Sequence, residues 1–170
     1  MMCLSQTTGY AIRALGCLGE GTCHSHLIRD VARCSGVTKP YLAKIFNKLA
    51  ISGLVTAKRG YHGGVTLSRP ADEIALLEIV KAVEGEQWIG PCLLGIEECE
   101  AGQGCPTSEL WKRVSREIET ALRTTTLADM IVAMKKLRAS DLPENCSRAP
   151  ASPAGLGRAK REGRDYAHTR

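Results

Sequence analysis

Thr38–Pro70 reads TKPYLAKIFNKLAISGLVTAKRGYHGGVTLSRP, and its apolar residues change period partway along. Tyr41, Leu42, Ile45, Phe46 and Leu49 recur at the three- and four-residue steps of a helix. Thr38 stands as its N-cap, Pro40 falls in its first turn and Gly53 ends it. Leu54-Val55-Thr56-Ala57 then reads as a strand, Lys58 to Gly64 as a glycine-rich basic turn, and Val65-Thr66-Leu67 as the returning strand.

Upstream, Ser5 or Thr8 caps a helix whose Tyr10, Ala11, Ala14, Leu15 and Leu18 form one apolar stripe, ending near Gly19 to Gly21. Ser25 caps a second helix carrying Leu27, Ile28, Val31 and Ala32, closed by Ser35-Gly36. Two short helices joined by a glycine-containing turn and followed by a hairpin predict a winged helix-turn-helix. The expected fold class is mainly α with a small β-hairpin, to which a long dimerisation helix is added.

The charges suit nucleic acid. Lys39, Lys44 and Lys48 lie along the third helix, and Lys58, Arg59 and His62 at the hairpin tip. Such a helix fits the major groove of duplex DNA, and a wing arginine can enter a narrow minor groove. Any single lysine on such a face has the plainer role of solvating it. The formal charge of +5 and pI near 8.8 permit a polyanionic partner without requiring one.

Downstream, Pro70-Ala71-Asp72 starts a connecting helix with Ile74, Leu77, Val80, Ala82 and Val83 inward, ended by Gly85. Pro91–Trp111 follows, PCLLGIEECEAGQGCPTSELW, with Cys92, Cys99 and Cys105 inside fourteen residues. Thiolates are the soft ligands that iron–sulfur clusters require. Gly95, Gly102 and Gly104 let peptide N–H groups approach cluster sulfides, and Pro106 begins a helix whose positive end favours a thiolate at Cys105. Zinc competes poorly, because structural zinc sites use paired C-x-x-C spacings and the gaps here are six and five residues. A surface loop with incidental cysteines is the plainer alternative, and a disulfide framework is weaker still in a chain able to bury a core.

From Pro106 a long helix carries Leu110, Val114, Ile118, Ala121 and Leu122 on one stripe, with Glu109–Arg113 and Glu119–Arg123 as possible pairs four apart. A stripe of this length calls for a partner helix. Thr124 to Thr126 breaks it, and Leu127 to Leu137 forms a short segment that covers the dimer core. The chain thus divides into a winged helix-turn-helix domain over 1–84, a cysteine loop over 85–105, the dimerisation helix and short following helix over 106–138, and a disordered tail over 139–170. That tail is rich in proline, glycine and scattered charge.

Thr38–Pro70, the following ADEIALLEIVKAVEG and the three-cysteine loop closely resemble the Rrf2 family of bacterial transcription regulators, over roughly residues 3–137. The resemblance implies a dimeric winged-helix repressor or activator whose iron–sulfur cluster controls promoter binding. It puts DNA contacts at Thr38, Lys39, Pro40 and Tyr41, to which Lys44 is added by its charge on the same helix, and at the wing motif Arg59-Gly60-Tyr61-His62-Gly63-Gly64, and cluster ligands at Cys92, Cys99 and Cys105. A homodimer on a palindromic operator is expected from it.

The fourth ligand departs from the family. The position three after the last cysteine, histidine in the iron–sulfur biogenesis regulators, is Ser108, and the acidic position used by the nitric-oxide-sensing relatives is Gly9. Ser108, Glu97, Glu98, Glu100, Glu109, Cys3, a small-molecule thiol or water remain. The missing histidine favours a 4Fe-4S over a 2Fe-2S cluster. Such a site suits sensing of redox state, nitric oxide or iron–sulfur status.

Two other functions compete: a cluster-free regulator sensing oxidants through the same cysteines, and an iron–sulfur electron-transfer or assembly protein. Nothing resembles a catalytic triad or a nucleotide-binding loop, so no enzymatic activity is expected. Cys17 is expected in the core and Cys34 half-buried. Cys23, His24, His26 and Cys34 could sketch a second metal site, though no spacing rule favours it. Trp88 and Trp111 are expected to shield the cysteine loop. No apolar run reaches the length of a membrane span, and no signal-type apolar region follows MMCLSQTTGY, so the expected compartment is the cytoplasm.

Overall fold

A computed structural model of the protein describes residues 4–19, 27–58, 63–96 and 105–141. In chain order these form α1 (Gln6–Gly19), α2 (Ile28–Ser35), α3 (Lys39–Ile51), β1 (Val55–Lys58), β2 (Gly64–Leu67), a 3-10 turn (Ala71–Glu73), α4 (Leu76–Glu84), α5 (Ser108–Thr124) and α6 (Leu127–Asp141). The helix, turn, helix and hairpin expected from Thr38–Pro70 and its upstream stretch are all present.

α1 is the central element and touches α2, α3, α4 and α6. Its Ala11, Ala14, Leu15 and Cys17 are essentially buried, meeting Leu42, Ile45, Phe46 and Leu49 of α3 and Ile79 and Val83 of α4 in one core. Small side chains let neighbours approach closely. A Cβ on Gly16 would collide with the end of Met134, and one on Gly19 with Ile131 Cδ1, so α6 lies directly on α1. The seat of α6 is therefore the first helix of its own chain.

The hairpin pairs Val55 with Leu67 through Lys58 with Gly64, antiparallel. Two strands alone are marginal in water; here buried Leu54, Val55 and Val65 anchor them to the core. The turn into β1 uses Gly53 at φ 71°, conformationally cheap only for glycine.

The connecting helix expected from Pro70 is divided in two. Ile74 is extended after the 3-10 turn, and Ala75 bridges Thr126. Leu76 N–H donates to the Thr125 carbonyl at 2.9 Å, and Leu127 N–H donates to the Ile74 carbonyl at 2.8 Å. The backbone groups freed by the helix break are thus used to hold the α5–α6 joint. Thr126 and Asp129 cap α6 reciprocally: Thr126 N–H donates to the Asp129 carboxylate at 2.9 Å, and Asp129 N–H to the Thr126 hydroxyl at 3.2 Å.

Lys48 is exposed on α3 but turned toward α4. Its ammonium donates to the Val83 carbonyl at the end of α4, 2.7 Å away. Glu84 next door accepts from the backbone N–H of Ser5 at 3.0 Å and from the hydroxyls of Ser5 and Thr8, placing a carboxylate at the positive end of α1. Burial alone would raise the Glu84 pKa. The hydroxyl and N–H donors, helped by the Lys48 charge, outweigh it and hold the carboxyl below its ordinary range.

A folded-state pKa below the unfolded one contributes stability that is present above the unfolded pKa and lost as pH falls through the folded value. Glu84→Gln should therefore lower unfolding stability at neutral pH by about 1–2 kcal/mol in urea melts. The deficit should shrink as the pH is taken below the carboxylate range. Equal stability of the two proteins at neutral pH would remove Glu84 from the fold's support.

Candidate nucleic-acid interface and cysteine loop

Thr38, Lys39, Pro40 and Lys44 are exposed at the start and along the outer side of α3. Thr38 occupies the N-cap position, but its hydroxyl makes no cap hydrogen bond. Tyr41 differs from its neighbours. It is half-buried, its hydroxyl lies 2.6 Å from that of Thr7, and its ring meets Tyr10 edge-on with centroids 5.8 Å apart. Tyr41 thus ties the first turn of α3 to α1, and the Arg13 guanidinium lies over the Tyr10 ring, 4.9 Å from its centroid.

Arg59 and His62 lie outside the described residues; Lys58 and Gly63 mark where the wing tip leaves and returns. Between α2, α3 and the hairpin is an open cleft of about 630 Å³, floored by Phe46 and Val65 and edged by Arg29, Lys39, Asn47 and Lys58. Sequence reasoning missed Arg29 and Asn47. The signal for Asn47 was present: Lys39, Ala43 and Asn47 recur at four-residue steps opposite the buried Leu42, Ile45 and Leu49. Arg29 had no such periodicity to mark it. An exposed helix face bearing lysines and an asparagine, flanked by cations from α2 and the wing, is chemically suited to phosphates and to base edges in a groove.

Cys92 and Cys105 are both half-buried, outside any disulfide, and line one small recess with Pro91, Leu93, Thr107, Ser108 and Trp111. A turn closed by Gly95 N–H to the Cys92 carbonyl, 3.1 Å, starts the loop, and Gly95 takes φ 71°. The Trp111 indole N–H donates to the Gly90 carbonyl at 2.8 Å, so that the ring walls the recess. Cys105 precedes the N-cap of α5 by two residues. Its sulfur lies 3.3 Å from the Thr107 hydroxyl. That hydroxyl, with the backbone N–H groups of Thr107 and Ser108, pulls the Cys105 thiol below its ordinary pKa, against burial and the neighbouring Cys92.

Two of the three expected ligands are therefore brought together in a setting that favours thiolate, which fits a thiolate-bound metal cluster. Cys99, with Glu97, Glu98 and Glu100, lies outside the described residues, and among the described residues no group of three or more metal-ligating side chains occurs. Ser108 lines the recess. Glu109 is exposed and pairs with Lys112 at 3.0 Å instead of Arg113, whereas Glu119–Arg123 forms as expected at 2.6 Å.

α5 buries no residue fully. Trp111, Val114, Ile118 and Leu122 are half-exposed along one side, and Leu110 is exposed. Of these only Leu122 reaches the core. Among the described residues no helix is long and apolar enough to cross a membrane.

One expectation fails in the core. Cys17 is buried and Cys34 half-buried as expected, but they are bonded as a disulfide between α1 and α2, with Cα atoms 6.3 Å apart. Cys34 is thereby engaged and does not serve a second metal site; Cys23, His24 and His26 lie outside the described residues. No local motif announces a pair on two different helices, and the expectation of unlinked thiols followed from a chain long enough to bury a core and from the expected reducing cytoplasm.

A family model described as Rrf2, an iron-dependent transcriptional regulator, matches residues 4–133. The HTH-type transcriptional regulator IscR of Serratia proteamaculans (strain 568) is 32% identical over 125 residues, 74% of this chain and 76% of that protein. Among solved structures, IscR of T. potens superposes with a TM-score of 0.61 at 25% identity, covering 83% of this chain and 92% of its own. The oxidized form of Staphylococcus aureus CymR gives 0.59 at 25% identity, covering 75% and 94%. These relatives are transcription regulators and not enzymes. With the winged helix, the recess at the start of α5 and the family match all in the same order along the chain, the protein belongs to the Rrf2 family of transcriptional regulators.

Proposed function

We propose that the protein is a homodimeric promoter-binding regulator whose hold on a palindromic operator is set by an iron–sulfur cluster bound at Cys92, Cys99 and Cys105. The observation that carries this is the meeting of Cys92 and Cys105 in one recess beside the N-terminus of α5. When bound, a cluster there supplies iron–thiolate bonds sensitive to oxidant, nitric oxide or iron supply. Within this chain, Cys105 would offer a thiolate held by Thr107 and Ser108, Trp111 walls the recess, and Ser108, which also lines it, is one candidate for the fourth ligand.

The half-exposed stripe of α5 is the dimer seam. Two copies joined there present two α3 helices to successive major grooves, about 34 Å apart in a two-fold site. Lys39, Lys44, Asn47 and Lys58 face that site with Thr38 and Pro40, and Arg59 and His62 complete the wing. Tyr41 then acts by fixing the entry of α3 through Thr7 and Tyr10. Because α5 begins at the cysteine loop, loop ligation bears on the helix that spaces the two reading heads.

Arg59→Ala should weaken operator binding by roughly tenfold, about 1–2 kcal/mol, in cluster-loaded and cluster-free protein alike; normal binding in gel-shift titrations would take the wing out of the DNA. Serine at Cys92, Cys99 and Cys105 together should abolish iron, acid-labile sulfide and visible absorbance in anaerobically purified protein, while sedimentation still reports a dimer. Mössbauer spectra of the wild type separate a 4Fe-4S from a 2Fe-2S cluster. A colourless, iron-free wild type whose DNA affinity follows thiol state would instead establish the cluster-free thiol regulator, the function that the likeness to oxidized CymR favours.

A further inference from the structure

We infer that Cys17 and Cys34 are a second thiol site, separate from the loop cysteines, whose reversible oxidation by a low-molecular-weight disulfide locks α2 onto α1. The inference goes beyond the proposed function, because it stands on the contacts of α1 and α2 and needs neither the cluster nor DNA.

The two residues are unequal in access. Cys17 is 1% exposed inside the core, and Cys34 in the last turn of α2 is half-buried. Their Cα separation of 6.3 Å lies within the span a disulfide bridges without moving backbone. Cys34 is the sulfur that an external reagent reaches. Its thiolate attacks one sulfur of the small disulfide, forming a mixed disulfide and releasing one small thiolate, which takes up the proton lost by Cys34. Cys17, deprotonated in turn, attacks the Cys34 sulfur, the mixed bond breaks, and a second small thiol leaves with the Cys17 proton. Two protein thiols are oxidised and one small disulfide is reduced to two thiols. Proximity favours the second step, because Cys17 already lies beside its target.

The lock acts on a helix that buries less than its neighbour α3. α2 has eight residues and buries only Val31 and Ser35, and the Ser35 hydroxyl is spent within α2 on the Val31 carbonyl at 2.7 Å. α3 in contrast buries Leu42, Ile45, Phe46 and Leu49 and is tied further by Tyr41 to Thr7 and by Lys48 to Val83. A covalent link from α1 therefore changes the seating of α2 far more than that of α3. Since α2 carries Ile28 and Arg29 to the edge of the cleft, its seating also shapes that cleft.

The test uses the full chain with Cys23→Ser, because Cys17 and Cys23 share one tryptic peptide, residues 14–29, while Cys34 lies in residues 34–44, the Lys39–Pro40 bond being resistant to trypsin. The protein is equilibrated in buffers of graded reduced-to-oxidised glutathione ratio, trapped by alkylation and mapped by mass. The expected result is a cross-link between those two peptides that appears in oxidising buffers, disappears in reducing ones, and slows amide exchange in α2 several-fold with little change in α3. Cys34→Ser should keep the helical circular dichroism and lose both the cross-link and the redox dependence of α2 exchange. Alkylation of both cysteines at every ratio would overturn the site. A cross-link that leaves α2 exchange unchanged, or that persists in the most reducing buffer, would overturn the reversible lock.

Discussion

Everything else in the fold depends on α1 burying a face made largely of small residues. Ala11, Ala14 and Gly16 bring neighbouring backbones close, so one helix can support α2 and α3 on one side and α4 and α6 on the others. Close packing of this kind is stable only if the helix cannot slide along its axis. The carboxylate of Glu84 holds its N-terminus, and the ends of Met134 and Ile131 lie against Gly16 and Gly19 near its C-terminus. α3 inherits its position from α1, through a buried apolar face and through Tyr41 and Thr7.

Much of this was legible in the sequence, because the elements announce themselves by period. The stripes of α1 and α3, the glycine stop at Gly53 and the alternation of the hairpin need no partner to be read. What was not legible depends on encounters between distant residues. Lys48 has the spacing of an outward lysine, and only the approach of the α4 terminus turns it to the Val83 carbonyl. The break at Ile74–Ala75 lies inside an apolar run that reads as one helix, and it exists because Thr125–Leu127 offer backbone partners there. Tyr41 follows the same logic: in sequence it belongs to the opening of a reading helix, in space to a contact with Thr7 and Tyr10.

The cysteines divide for similar reasons. Cys92 and Cys105 belong to one short stretch, so their meeting could be expected from loop length, and the N-terminus of α5 adds the donors that favour thiolate. Cys17 and Cys34 sit on separate helices, where helix packing and not chain proximity decides their distance. The chain thus holds cysteine pairs in two mechanical settings: one at the foot of a half-exposed helix, one between α1 and α2.

The backbone bridge at Ala75 and Thr126 gives α5 the character of a lever. Its C-terminal end is pinned by hydrogen bonds from Leu76 to Thr125 and from Leu127 to Ile74, whereas its N-terminal end emerges from the cysteine loop and buries no residue fully. The arm is seventeen residues, a length of about 25 Å at the ordinary helical rise. With its C-terminal end fixed beside α4 and its N-terminal end beside Cys105, the arm has the geometry that converts a displacement at one end into a change of angle at the other.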